Sequence, residues 1–191
     1  EIVGMTACVV AALNAARKEG DDAVHSRSAG LLALACLLMA WPRAAEHYYA
    51  HACRTRPGVD RPHDRLMTSE YIAMYLLTAA RLDDAEAELR GMISLAAESG
   101  NQRRGLDAAS LLTLCLTEAG RAGDCAPLQA MLAETADQYG DPQLRCWLAL
   151  EQAQLAFGTG AHDAVERHLA RAERLLPRLG SHEAVWTFGL F

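Results

Sequence analysis

Glycine followed by a helix-capping residue recurs at a fixed interval in this chain, and that interval limits the folds open to it. Gly20-Asp21, Gly100-Asn101, Gly140-Asp141 and Gly180-Ser181 share one register of 40 residues, with Asp60 in the remaining slot. Glycine suits the left-handed position that ends a helix, and Asp, Asn or Ser caps the helix that follows. Pro142, directly after Asp141, is a favourable first helical residue. A second set of breaks lies midway, at Trp41-Pro42, Arg81 to Asp84, Gly120 to Asp124 and Gly158 to Asp163. The spacing predicts a repeated unit of helix, turn, helix.

Columns taken at this period need no gaps. In the first helix one column reads Ala29, Ser69, Ala109, Ala149 and another Ala33, Ala73, Thr113, Ala153, small enough for two helices to approach closely. Leu32, Ile72, Leu112, Gln152 and Cys36, Leu76, Leu116, Ala156 flank them, and the turn column is Ala40, Ala80, Gly120, Gly160. The second helix contributes Ala45, Ala85, Cys125, Val165, then Tyr49, Leu89, Gln129, Leu169, then Ala52, Met92, Leu132, Ala172. Steps of four and three place these on one helical face. Gln129 and Gln152 depart from the apolar pattern, and Leu128 beside Gln129 would allow the register there to shift by one.

Composition agrees. The chain has 191 residues, 51% hydrophobic, with only 6% aromatic. Its apolar share rests on Ala and Leu, strong helix formers, while β-branched residues are scarce. The expected fold class is all-α. A net charge of -6 and a single lysine, Lys18, argue against direct nucleic-acid binding. Cys8, Cys36, Cys53, Cys115, Cys125 and Cys146 form no C-x-x-C pair and read as reduced core residues, which points to a cytoplasmic location. The longest apolar run, Ala29 to Trp41, is about 13 residues, short of the roughly 18 to 20 needed to cross a bilayer, so no membrane association is expected. No signal peptide is visible at Glu1, and the chain reads as a segment of something longer.

With apolar, small and turn columns in this order, and a late proline at Pro57 and Pro177, the pattern resembles the tetratricopeptide repeat (TPR). The period exceeds that family's usual 34 or so by about six, under one turn per helix. Segments such as Leu76 to Leu89 and Leu148 to Leu169 resemble the long-repeat helical sensor region of MalT-type regulators, the large ATP-binding LuxR-family transcriptional regulators of bacteria. The resemblance implies a right-handed α-solenoid of antiparallel helix pairs over 1–191. Its parts would be a half repeat at 1–20, full repeats at 21–60, 61–100, 101–140 and 141–180, and a half repeat at 181–191. The terminal faces, with Val3, Val9 and Val10 at one end and Trp186, Phe188 and Phe191 at the other, would need covering by flanking sequence or a second copy.

Carried over from the family, the first helices line a concave groove whose positions here include Arg27, Met67, Asp107 and Trp147, then Gly30, Glu70, Ser110 and Leu150. Leu34, Met74, Leu114 and Gln154 follow, then Leu37, Leu77, Thr117 and Phe157. Met67, Met74, Leu114, Trp147 and Phe157 suit an apolar peptide, a partner protein or a small-molecule effector, and Glu70 and Asp107 a basic or hydroxylated group. For each residue alone, packing or a solvated face is the simpler account. Losing Asp107 or Trp147 is expected to weaken capture with little loss of helicity. The Lys, Arg and Asn donors of a carboxylate clamp are missing from these positions apart from Arg27.

Catalytic motifs are weak. Lys18 is followed by Glu19, which rules out a Walker phosphate loop there, and Gly158-Thr159-Gly160 lies between helices. His47 and His51, with Glu46 and Cys53 nearby, have the spacing of a helical metal pair but no partner pair, so no metal or cofactor is expected. Arg103-Arg104 and Arg54 to Arg61 read as solvated charge, and Glu151, Gln152 and His168, or the His47 and His51 pair, as the centre of a less favoured enzymatic reading. The favoured reading is a non-enzymatic recognition segment of a bacterial regulator, able to self-associate through its end repeats. The alternative is a free-standing adaptor that holds two proteins together.

Overall fold

The computed structural model describes residues 2–180, with side chains from residue 8 onward. The half repeat expected at 181–191, with Trp186, Phe188 and Phe191, and the Val3 side chain lie outside the described residues. Among the described residues there are nine α-helices and no strand. They are α1 (Ile2–Glu19), α2 (Asp22–Leu38), α3 (Pro42–Thr55), α4 (Pro62–Thr78), α5 (Leu82–Glu98), α6 (Gln102–Glu118), α7 (Ala126–Tyr139), α8 (Pro142–Gly158) and α9 (His162–Leu175). No helix among the described residues is long and apolar enough to cross a membrane.

The chain divides into two compact units, 1–108 and 109–191, with the boundary inside α6. In the first, α1 packs on α2, α2 on both α3 and α4, and α4 on α5. In the second, α7 packs on α8 and α8 on α9. The small columns explain the close approach. Ala29, Ala33, Ser69 and Ala73 are buried in the first unit, and Ala109, Thr113, Ala149 and Ala153 in the second. Two buried hydroxyls in these helices donate to backbone carbonyls: Ser26 Oγ to Ala52 at 3.2 Å and Thr113 Oγ1 to Ala109 at 3.1 Å.

Turns repeat with the same period as the columns. The first helices end at residues with left-handed backbone, Ala40 (φ 57°), Ala80 (φ 55°), Gly120 (φ 73°) and Gly160 (φ 72°). The next N–H then reaches back five residues, from Trp41 to the Cys36 carbonyl, Arg81 to Leu76, Arg121 to Leu116 and Ala161 to Ala156, all at 2.8 to 2.9 Å. This closure satisfies carbonyls that the helix ends would otherwise leave bare. Alanine carries a cost of about 1 kcal/mol in that conformation which glycine does not. The turn column therefore tolerates Ala40 and Ala80 at a small loss.

Second helices end in two ways. Gly20, Gly100 and Gly140 close theirs with left-handed backbone, followed by caps at Asp21, which accepts from the Val24 N–H at 3.0 Å, and Asp141, which accepts from Gln143 and Leu144 at 2.8 and 3.2 Å. Asp60 does not cap α4; Arg61 occupies that position, without a side-chain bond, and Pro62 leads the helix. The reason is Pro57, whose fixed φ draws the end of α3 into a 3₁₀ turn over Arg56–Gly58, followed by extended Val59. Pro177 sits in the equivalent turn Leu176–Arg178.

The expected inner face of the second helix holds for Ala45, Ala52, Ala85, Leu89, Met92, Cys125, Leu132 and Ala172, which are buried. Leu169 departs from it at 47% exposure. α9 packs chiefly on α8, and Leu169 falls outside the face so covered. Four cysteines, Cys36, Cys115, Cys125 and Cys146, are buried, while Cys8 is exposed and Cys53 half-buried, and all six are free thiols.

Candidate functional site

The groove positions fall on α2, α4 and the start of α6 in the first unit, and on the rest of α6 and α8 in the second. In the first unit Arg27 and Met67 are half-buried and Met74 is buried. Glu70 and Asp107 are brought together by a residue that the sequence reading set aside. Arg104 donates from Nη1 to Glu70 Oε2 at 2.6 Å and to Asp107 Oδ2 at 3.2 Å, and Arg103 Nε donates to Asp107 Oδ1 at 3.1 Å. Burial lifts the Glu70 carboxyl up to about 7, against the pull of Arg104 and with Asp107 adding to the rise. Arg104 thus links α6 to Glu70 on α4, with Asp107 of its own helix as second partner. Asp107 is 5% exposed.

In the second unit Ser110 and Trp147 are buried, Leu114 and Gln154 half-buried, and Phe157 is 69% exposed. Ser110 Oγ donates to Glu151 Oε1. Glu151 is 1% exposed, and its Oε2 has no hydrogen-bond partner among the described residues. Burial lifts its carboxyl to about 8, with Ser110 opposing the rise, so it is a neutral acid at pH 7. Cys125 faces it from the turn before α7; its thiol, raised by burial, donates to the Thr113 carbonyl at 3.5 Å and lies 3.7 Å from Thr117 Oγ1.

One contact occurs in both units and explains why Gly30 and Ser110 of the second groove row are buried. A Cβ added at Gly30 would stand 3.1 Å from Tyr71 Cβ, so α2 and α4 touch where Gly30 meets Tyr71. Ser110 meets Glu151 at the same sequence separation of 41 residues. Positions 30 and 110 and positions 71 and 151 are equivalent at the period of 40. The row of Gly30, Glu70, Ser110 and Leu150 is therefore a seam between neighbouring first helices at Gly30 and Ser110. Asp107 and Trp147, each under a tenth exposed, are likewise fold residues, and their replacement by Ala loads stability as well as any surface. Glu151 had a signal in the sequence: its column reads Leu31, Tyr71, Leu111, Glu151, with one acid among apolar residues.

His47 and His51 do not converge. The His47 ring lies edge-on to Tyr48 at 5.3 Å, whereas His51 Nε2 is 3.0 Å from His25 Nε2 on α2. Burial first, then His25, Arg54, His47 and Arg17, holds the His51 imidazole below its ordinary value. Among the described residues no group of three or more His, Cys, Asp or Glu is placed to hold a metal ion.

A cleft of about 660 Å³ opens in the first unit between α3, α4 and α5. Tyr49, Ser69, Glu88, Met92 and Leu95 are among its walls, and Arg56 crosses it, bonded to Ser69 Oγ at 3.0 Å and paired with Glu88. At its rim Tyr49 stacks on Tyr75 with centroids 4.7 Å apart, and the Arg81 guanidinium lies 4.9 Å over Tyr49. None of the ten groove residues Arg27, Met67, Glu70, Met74, Asp107, Ser110, Leu114, Trp147, Gln154 and Phe157 lines it. No family model, curated protein or solved structure matches this chain.

Proposed function

We propose that this chain is a recognition module of TPR type, a right-handed solenoid of antiparallel helix pairs that serves a bacterial transcriptional regulator of the MalT kind. The observation that carries the reading is the recurring contact: Gly30 against Tyr71 in one unit and Ser110 against Glu151 in the other, at the same separation and in equivalent columns. Repeats stacked by one interface produce such a recurrence, and each repeat then touches only its neighbours. The five-residue turn closures at Cys36, Leu76, Leu116 and Ala156 support the same unit.

In this reading the module binds a peptide, a small effector or a partner protomer through what the seam leaves uncovered on the first helices. Phe157 is exposed, and Gln154 and Leu114 are half-buried on the same unit. Binding would favour one assembly state over another and so act on transcription through separate domains.

Sequencing the parent reading frame on both sides of Glu1 and Phe191 tests this. A phosphate-binding loop upstream and a helix-turn-helix domain downstream are the expected result. Stop codons close to both ends, or further repeats alone, would contradict the regulator reading and leave the adaptor.

A further inference from the structure

One face of α9 and the turn after it gathers arginines in a unit that is otherwise acidic. Arg167, Arg171, Arg174 and Arg178 follow one another at intervals of four, three and four, which sets them in a single stripe along α9 and the 3₁₀ turn after it. Like charges at these spacings repel, so the stripe weakens the helix that bears it. Arg171, Arg174 and Arg178 converge with Arg145 of α8 and Asp137 of α7 on a cleft of about 460 Å³. Arg145 Nη2 donates to Asp137 Oδ1 at 3.2 Å. Its Nε is buried, with no hydrogen-bond partner among the described residues. Among those residues Arg171, Arg174 and Arg178 make no ion pair.

We propose that this cleft binds a small molecule through a pyrophosphate group. Four guanidiniums and one carboxylate line it, leaving three positive charges uncompensated. An orthophosphate or a lone carboxylate is too small in charge and volume to use them, whereas a diphosphate carries about the matching charge and spans two guanidinium forks. The volume lies within the range of small-ligand sites, with room for an organic group beyond the phosphates. A long polyanion is disfavoured by the net charge of -6 on the whole chain. Pro177 holds the turn that brings Arg178 to the same cleft as Arg174.

Calorimetric titration of the 191-residue chain with inorganic pyrophosphate, beside orthophosphate and sulfate at equal ionic strength, tests the proposal. Saturable binding of one pyrophosphate, at least about tenfold tighter than orthophosphate, is expected. The Arg174→Gln/Arg178→Gln double variant, whose altered side chains are exposed, should keep its helical spectrum and bind at least about tenfold more weakly. Arg171→Gln supplies a second, milder variant if the first folds poorly, and Arg43→Gln, exposed on α3, should bind as the parent does. Absence of pyrophosphate binding, equal affinity for orthophosphate, or undiminished binding by both cleft variants would each overturn the assignment.

Discussion

Replacing Glu151 by Gln is expected to raise the melting temperature by roughly 10 °C at pH 9 and to leave it almost unchanged at pH 4. The fold holds this carboxyl at about 8, where the unfolded chain would hold it near 4.5. The native state therefore binds more protons than the unfolded state between those values, and stability falls as pH rises through that window. Below about 4.5 both states are protonated and the penalty is absent; above about 8 it is complete, at roughly 3–5 kcal/mol. Glutamine keeps an acceptor for the Ser110 hydroxyl and cannot ionise. Thermal melts of both proteins from pH 4 to 9 should diverge steadily, and parallel profiles would show that Glu151 is ionised and solvated in the fold.

The second large effect is expected at Arg104. Exchange for Met removes the guanidinium that bridges Glu70 and Asp107 while keeping much of the apolar stem. A buried carboxylate stripped of its partner costs several times what an exposed pair contributes. Since Arg104 retains 23% side-chain exposure and Asp107 keeps Arg103, the loss should be about 2–4 kcal/mol at pH 8. It should shrink at pH 5, because Glu70, already at about 7 in the parent, then takes up a proton. Adding Glu70→Gln to the variant should recover part of the loss at pH 8. Denaturant unfolding of the two single variants and the double variant measures the coupling. A loss below about 0.5 kcal/mol at pH 8 would mean that the bridge is an ordinary surface pair.

Both residues show where sequence and structure part company. Helix boundaries could be read from short-range chemistry: Asp21 and Asp141 cap as their positions suggested, and Ala40, Ala80, Gly120 and Gly160 adopt the turn conformation. Asp60 did not, because Pro57 and Pro62 together impose a different exit and entry, a competition that no single-residue preference resolves. Burial columns could also be read, since a period of 40 keeps the same face inward in Ala52, Met92, Leu132 and Ala172. What the periodicity does not encode is which neighbour covers a face. Gly30 and Ser110 look free on a helical wheel, yet they meet Tyr71 and Glu151 from the following first helix. Charge clusters posed the same difficulty. Arg103-Arg104 stands out because its members are adjacent in sequence, whereas Arg171, Arg174 and Arg178 form a patch only once the helix is wound and α8 brings Arg145 beside them.

The repeat is the central claim, and in-frame duplication tests it most directly. If the chain is the proposed solenoid, a second copy of residues 61–100 inserted after Gly100 extends the stack by one interface of a kind already present. The longer chain is then expected to unfold cooperatively, with unchanged helical signal per residue and a melting temperature equal to or above the parent's. In a closed helical body those 40 residues would have no matching surface to pack on, and loss of helical signal per residue or of cooperative unfolding would contradict the account.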